Sequence, residues 1–120
     1  MSNNRPSVEV AWFAALCDDD YEFLGVPDES LQSSWMHCSD IVRCAESNGF
    51  DNVLLPSGYS LGIDATAFSA AIATLTNEIK LLLAVRLGEV VVPQLARQIA
   101  TLQQISNSRL VVNAISSEMP

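Results

Sequence analysis

The stretch Ile79-Lys-Leu-Leu-Leu-Ala-Val85 decides the fold class. It is nearly all apolar, which suits a strand covered on both faces, as parallel sheets require, better than a one-sided antiparallel strand. Toward the carboxyl end, Pro93 stands where a helix can begin, because the missing N–H of proline is not needed there. Leu95, Ile99 and Leu102 follow at helical spacing, Ser106-Asn107 ends that helix, and Leu110 to Ile115 reads as a last strand. Toward the amino end, Asp64 can cap a helix running through Asn77, with Phe68, Ala71, Ile72 and Leu75 inward. Before it, Val53-Leu-Leu55 is a short strand closed by Pro56-Ser-Gly58. A further helix is predicted from near Ser30, its stripe formed by Leu31, Trp35, Cys38, Ile41, Val42 and Ala45, and Asn48-Gly49 stops it. Val8 to Phe13 is the first strand, and the polar residues 1–7 form a flexible arm. The order β-α-β-α-β-α-β over residues 8–120 makes one α/β unit with a parallel sheet and right-handed crossovers. Periodicity leaves open whether the sheet is an open doubly wound one or the first half of a (β/α)8 barrel.

Composition narrows the class. The 120 residues are 49% apolar and 17% charged, which excludes a disordered chain. A net charge of -8 argues against nucleic acid or an anionic membrane as partner. No apolar run approaches the roughly 20 residues that span a bilayer. The opening Met1-Ser-Asn-Asn-Arg-Pro lacks the apolar centre of a signal peptide. Three cysteines without a C-x-x-C pair suit a reducing cytoplasm.

In either parallel architecture ligands sit at the carboxyl ends of the strands. The segments to inspect are then 14–20, 56–64, 85–89 and 113–118. Packed carboxylates such as Asp18-Asp19-Asp20 can hold Mg²⁺, as in phospho-accepting receiver domains. A receiver also needs an acid after its third strand, where this chain has Ala84-Val85-Arg86, so a solvated loop accounts for the aspartates more simply. His37 and Cys44 are two ligands on one helix, which do not close a zinc site, and Cys38 falls in the apolar stripe. No metal is expected. G-x-S-x-G, G-x-G-x-x-G and P-loop motifs are absent. Arg86 could anchor an anionic ligand, or pair with Glu89 or the aspartates. Asn113 places an amide inside the apolar run Leu110 to Ile115, and that amide needs partners for its donor and its acceptor, either a ligand edge or neighbouring backbone.

Taken in order, the segments resemble one family. Trp12-Phe13 followed by an acidic loop and Phe23-Leu24-Gly25, then Asn48-Gly49-Phe50 leading into Val53-Leu-Leu-Pro-Ser-Gly58, are similar to the opening of luciferase-like flavin-dependent monooxygenases, particularly the alkanesulfonate monooxygenase branch. Leu83-Ala-Val-Arg86, Ala96-Arg-Gln98, Ala100-Thr-Leu102, Ile105-Ser-Asn-Ser-Arg109 and Asn113 continue the pattern. The resemblance implies the amino-terminal half of a (β/α)8 TIM barrel. It also implies an oxidoreductase that takes reduced FMN from a flavin reductase partner and oxidises a small organic or organosulfur substrate through a peroxyflavin. By position, Ala84 and Val85 would back the flavin and Asn113 would meet its polar edge, while Trp12, Ser57 and Arg86 would line the substrate pocket. It assigns no catalytic group. The FMN phosphate site belongs to the later part of the barrel, so this stretch by itself is expected to bind FMN weakly. With one neighbour only, the strand at Leu110 to Ile115 is expected to pair with a second copy or with the missing half-barrel. Two other readings are a non-catalytic half-barrel that binds a partner and a flavodoxin-like signalling domain.

Overall fold

A computed structural model describes residues 7–59 and 62–116. Four strands, β1 (Ala11–Phe13), β2 (Asn52–Leu55), β3 (Lys80–Arg86) and β4 (Leu110–Ile115), alternate with three helices, α1 (Trp35–Ser47), α2 (Ala65–Ala73) and α3 (Val92–Ile105). The strands are parallel and lie in the order β1-β2-β3-β4. Val53, Leu55, Leu81, Leu83, Val85 and Leu110 point to one face of the sheet and pack into a single core with Val42, Phe68, Ile72 and Leu102 from the helices. Strand side chains alternate between faces, so the other face carries Phe13, Leu54, Leu82 and Val111 in one register row. No helix of the described residues covers that row, and Phe13 and Val111 are about 40% exposed, at 42% and 40%. Helices on one side and an open apolar face on the other make this a half-barrel. The doubly wound alternative, with helices on both faces, is excluded.

Three boundaries differ from the sequence reading, each for a local reason. β1 begins at Ala11 and not at Val8, because the Val10 amide donates to the Asp51 carboxylate (2.8 Å) instead of joining the ladder. α1 begins at Trp35 and not near Ser30. Asp28 accepts from the amide and the hydroxyl of Ser30 (2.9 and 2.6 Å), closing a separate 3-10 turn at Glu29–Leu31. Ser34 then caps the helix by accepting from His37 N–H at 3.0 Å. Leu31 therefore lies outside the helix whose stripe it was expected to join. α2 starts on Asp64 as expected, its carboxylate accepting from Ala67 N–H at 2.7 Å, but it ends at Ala73 and not at Asn77. The loop that follows is held by two side chains from elsewhere. Arg109 donates to the carbonyls of Ala73, Thr76 and Ile79, while Glu46 accepts from the amides of Asn77, Glu78 and Ile79 at 2.9 to 3.0 Å. Those contacts take the backbone groups that a longer helix would have used. Gly49, at φ +81°, ends α1 as its position suggested. Of the expected arm at 1–7, residues 1–6 lie outside the described residues, and Ser7 is exposed and belongs to no element.

Candidate functional site

The carboxyl ends of the strands bring together four of the six residues singled out by sequence. Ala84 and Asn113 are register partners on the open face, and Arg86 follows one step further along the same side, opposite Ile115. Ser57 joins them because its carbonyl accepts from Arg86 Nη2 at 2.7 Å. Val85 and Trp12 lie on the other side. Val85 is in the core against the helices, so only its backbone can reach a ligand on the open face. Trp12 registers with Val53, and its ring meets Phe50 edge to face with centroids 5.2 Å apart. It lines an apolar recess of about 480 Å³ with Ile41, Cys44 and Ala45, on the helix side of β1 and away from the other site residues.

Arg86 makes one of the internal pairings that the sequence offered. Its Nε lies 3.3 Å from a Glu89 carboxylate oxygen, and its guanidinium carbon sits 4.0 Å from the centroid of the Tyr59 ring. The Asp cluster has other duties. Asp18 accepts from the Ser33 amide and donates its own amide to the Ser33 hydroxyl, both at 2.8 Å. Asp20 pairs with His37 Nε2 at 2.7 Å. Both aspartates thereby tie the loop after β1 to the start of α1. Among the described residues no group of three or more histidine, cysteine or acidic side chains is gathered for a metal.

The loops after β1 and β2 are locked to each other. Ile63 N–H donates to the Leu16 carbonyl at 2.9 Å, and a side chain on Gly62 would run into that same oxygen. Glycine is required here by close backbone approach and not by a left-handed φ. Cys17 sits beside this junction. Burial, then the charges of Asp19 and Asp18, push its thiol above the ordinary cysteine value, against an opposing pull from Arg86 and the Gly58 amide. The thiol is therefore protonated near neutral pH and is no activated nucleophile. Sequence reasoning missed Tyr59 and the packing role of Gly62, and it offered Glu89 only as one possible partner of Arg86. An aromatic in Pro56-Ser-Gly58-Tyr59 and an acid three residues after Arg86 were the available signals, and only the second was weighed.

The open face suits a flat aromatic ligand. Phe13, Leu54, Leu82 and Val111 offer an apolar floor, and Ala84 adds no bulk above it. Asn113 is half-buried, and its amide makes no hydrogen bond to the described residues, leaving donor and acceptor for a ring edge that presents both. An isoalloxazine has such an edge. The residues present thus fit a flavin ring.

Comparison with known proteins finds relatives in sequence and in fold. Sulfoquinovose monooxygenase of Novosphingobium aromaticivorans is 64% identical over 119 residues, a match covering 93% of this chain and 33% of that protein. Sulfoquinovose monooxygenase of Agrobacterium fabrum is 51% identical over 119 residues, covering 99% of this chain and 31% of that one. The chain thus spans about one third of the length of these curated relatives. EDTA monooxygenase from Chelativorans sp. BNC1 superposes with a TM-score of 0.74 at 18% identity, over 93% of this chain and 30% of that one, which supports the shared fold. No helix of the described residues is long and apolar enough to cross a membrane. Residues 23–120 match the family described as luciferase-like monooxygenase, and the chain belongs to that family.

Proposed function

We propose that this chain supplies the first part of a flavin-dependent monooxygenase acting on a sulfonated sugar of the sulfoquinovose type. The observation that carries the reading is the 64% identity to sulfoquinovose monooxygenase across 93% of the chain. That identity supports a sulfosugar over a plain alkanesulfonate as the substrate class. Reduced FMN, delivered by a separate reductase, would supply two electrons and two protons with O2. One oxygen atom then enters the substrate at the carbon bearing sulfur, giving an aldehyde and hydrogen sulfite, and the other leaves as water.

The residues described here serve binding. Ala84 leaves space for the ring, Asn113 meets its polar edge, and the row from Phe13 to Val111 excludes water beneath it. The loop carrying Ser57 and Tyr59 stands beside that position, steadied by Arg86. Val111 and Val112 leave the outer edge of β4 exposed, and we assign that edge to pairing with further barrel strands or a second chain. The reductase partner and the cysteine usage fit a cytoplasmic site of action.

The test supplies the protein, in its natural reading frame, with FMN, NADH and a flavin reductase, and measures sulfite. Sulfite release from sulfoquinovose at least about tenfold faster than from a short alkanesulfonate, a difference of roughly 1.4 kcal/mol in transition-state binding, is expected. Equal rates would return the substrate class to simple alkanesulfonates. Absence of sulfite from both would end the sulfonate reading.

A further inference from the structure

Arg86 has committed its charge inside the protein. Its side chain is buried, with the residue 8% exposed, at the end of β3 on the open face. One edge donates to the Ser57 carbonyl, Nε faces the Glu89 carboxylate, and the plane lies over Tyr59. These partners come from two loops, the one after β2 and the one after β3. A guanidinium already balanced by a carboxylate and bonded to a carbonyl has little left to offer an incoming sulfonate. Tyr59 is different. Its ring is held by the cation at 4.0 Å, yet the residue remains 42% exposed. The other end of the same loop is fixed where Gly62 and Ile63 meet Leu16.

We propose that Arg86 is a positioning residue that holds the Ser57–Tyr59 segment as a fixed wall of the ligand site, and that Tyr59 is the specificity-determining side chain of that wall. An immobilised aromatic ring packs well against the C–H face of a sugar, at small entropic cost because it is already ordered. The sugar preference rests on the function proposed above; the clamp itself does not.

Hydrogen-exchange mass spectrometry and steady-state kinetics on the protein in its natural reading frame separate the two. Arg86→Lys keeps the charge but loses the planar stack and the fork. Exchange at residues 57–59 should rise about tenfold in this variant, with the rest of the sheet unchanged. Arg86→Lys and Tyr59→Leu should each lower kcat/KM for sulfoquinovose about tenfold while leaving a short alkanesulfonate within about twofold, and the combined variant should be no worse than either. Unchanged exchange in Arg86→Lys overturns the clamp. So does an Arg86→Met variant in which KM rises equally for every sulfonate, because Arg86 would then be the anion's direct anchor. Should Arg86→Lys not fold, Glu89→Gln decides: a direct anchor relieved of its competing carboxylate binds sulfonates more tightly, whereas the clamp gains nothing. If the unmodified protein oxidises no sulfonate, the exchange result still decides the clamp, and the sugar preference falls with the proposed function.

Discussion

The two ends of the sheet both use an arginine to hold a loop, and they differ in what else their polar side chains do. At the amino ends of the strands, Glu46 and Arg109 are bound to backbone in a loop that is remote in sequence. Arg109 donates to the carbonyls of Ser106, Ala73, Thr76 and Ile79 and to the Thr76 hydroxyl, at 2.7 to 3.0 Å. Glu46 takes three consecutive amides of the same loop. At the carboxyl ends, Arg86 holds a neighbouring loop through the Ser57 carbonyl, while the Asn113 amide makes no hydrogen bond to the described residues. The amino end is cross-bonded by two charged side chains, and the carboxyl end presents an open apolar face with one amide beside it. In a parallel α/β sheet this is the expected division between a stability end and a ligand end.

The contrast is tested most severely at Arg109. Arg109→Met would strand several carbonyls around the loop between α2 and β3 and should cost about 3 kcal/mol, the upper end for losing charge-assisted hydrogen bonds at a half-buried site. Urea denaturation measures it. A loss below about 1 kcal/mol, the level of an ordinary surface change, would mean that this end is not held as described.

Gly62→Ala probes the ligand end by sterics alone. The added methyl meets the Leu16 carbonyl oxygen, so the loops after β1 and β2 must separate. A cost of about 2 kcal/mol is expected, typical of overpacking, with increased proteolysis near residues 57–63. Stability equal to the parent protein would show that the junction is looser than its contacts imply.

Glu46 adds a pH signature to the stability end. Burial works against its charge, but the amides of Ile79, Glu78 and Asn77 and the nearby Arg109 outweigh it, holding its pKa below the usual glutamate value. A carboxyl whose pKa is depressed on folding lends its full stability above the unfolded value, and that stability is lost as pH falls through the folded value. Glu46→Gln should therefore cost about 1–2 kcal/mol at neutral pH and much less in acid below both values. A penalty independent of pH would assign Glu46 a packing role only.

Asn113→Ala is the opposite experiment. The amide has no hydrogen-bond partner to lose among the described residues, so stability should stay within about 0.5 kcal/mol. FMN affinity of the protein in its natural reading frame should fall about tenfold, as for loss of one or two hydrogen bonds. A destabilised protein with unchanged FMN affinity would reverse the assignment of the two ends.

The same division explains what was legible in the sequence. The succession of strands and helices could be read from apolar runs and caps, which are local signals, whereas the half-barrel followed from the family resemblance carried by the ordered motifs. Ala84, Asn113, Arg86 and Ser57 were named through the family resemblance, and strand alternation with one loop contact is what brings them to the same side. Val85 was paired with Ala84 although adjacent strand residues face opposite ways, and its side chain is in the core. Trp12 was placed at the pocket, but its register with Val53 turns it toward the helices. The end of α2 was overrun because the groups that stop it, Glu46 and Arg109, are about thirty residues distant, at separations of 30 to 36. The run Ile105-Ser-Asn-Ser-Arg109, which marked the family, belongs to the stability end.

That same run holds the smallest effect and the sharpest check on the backbone. Asn107 and Ser108 follow α3 with φ of 53° and 65°, both left-handed. Asparagine tolerates this conformation, but serine bears a cost of roughly 1–2 kcal/mol from its Cβ. Ser108 keeps the turn because its amide donates to the Gln103 carbonyl at 2.9 Å, a bond that any residue there can make. Ser108→Gly removes the steric cost and adds roughly 0.5–1 kcal/mol of unfolded-state entropy, leaving a net gain of about 0.5 kcal/mol. At the ligand end the corresponding turn is already relieved, with Gly88 at φ +96° and open space around it, so Gly88→Ala should lose about what Ser108→Gly gains, or somewhat more. Thermal unfolding of the two variants should shift in opposite directions. A fall in both would show that the left-handed turn after α3 carries no strain for serine, and that the stability end is closed without it.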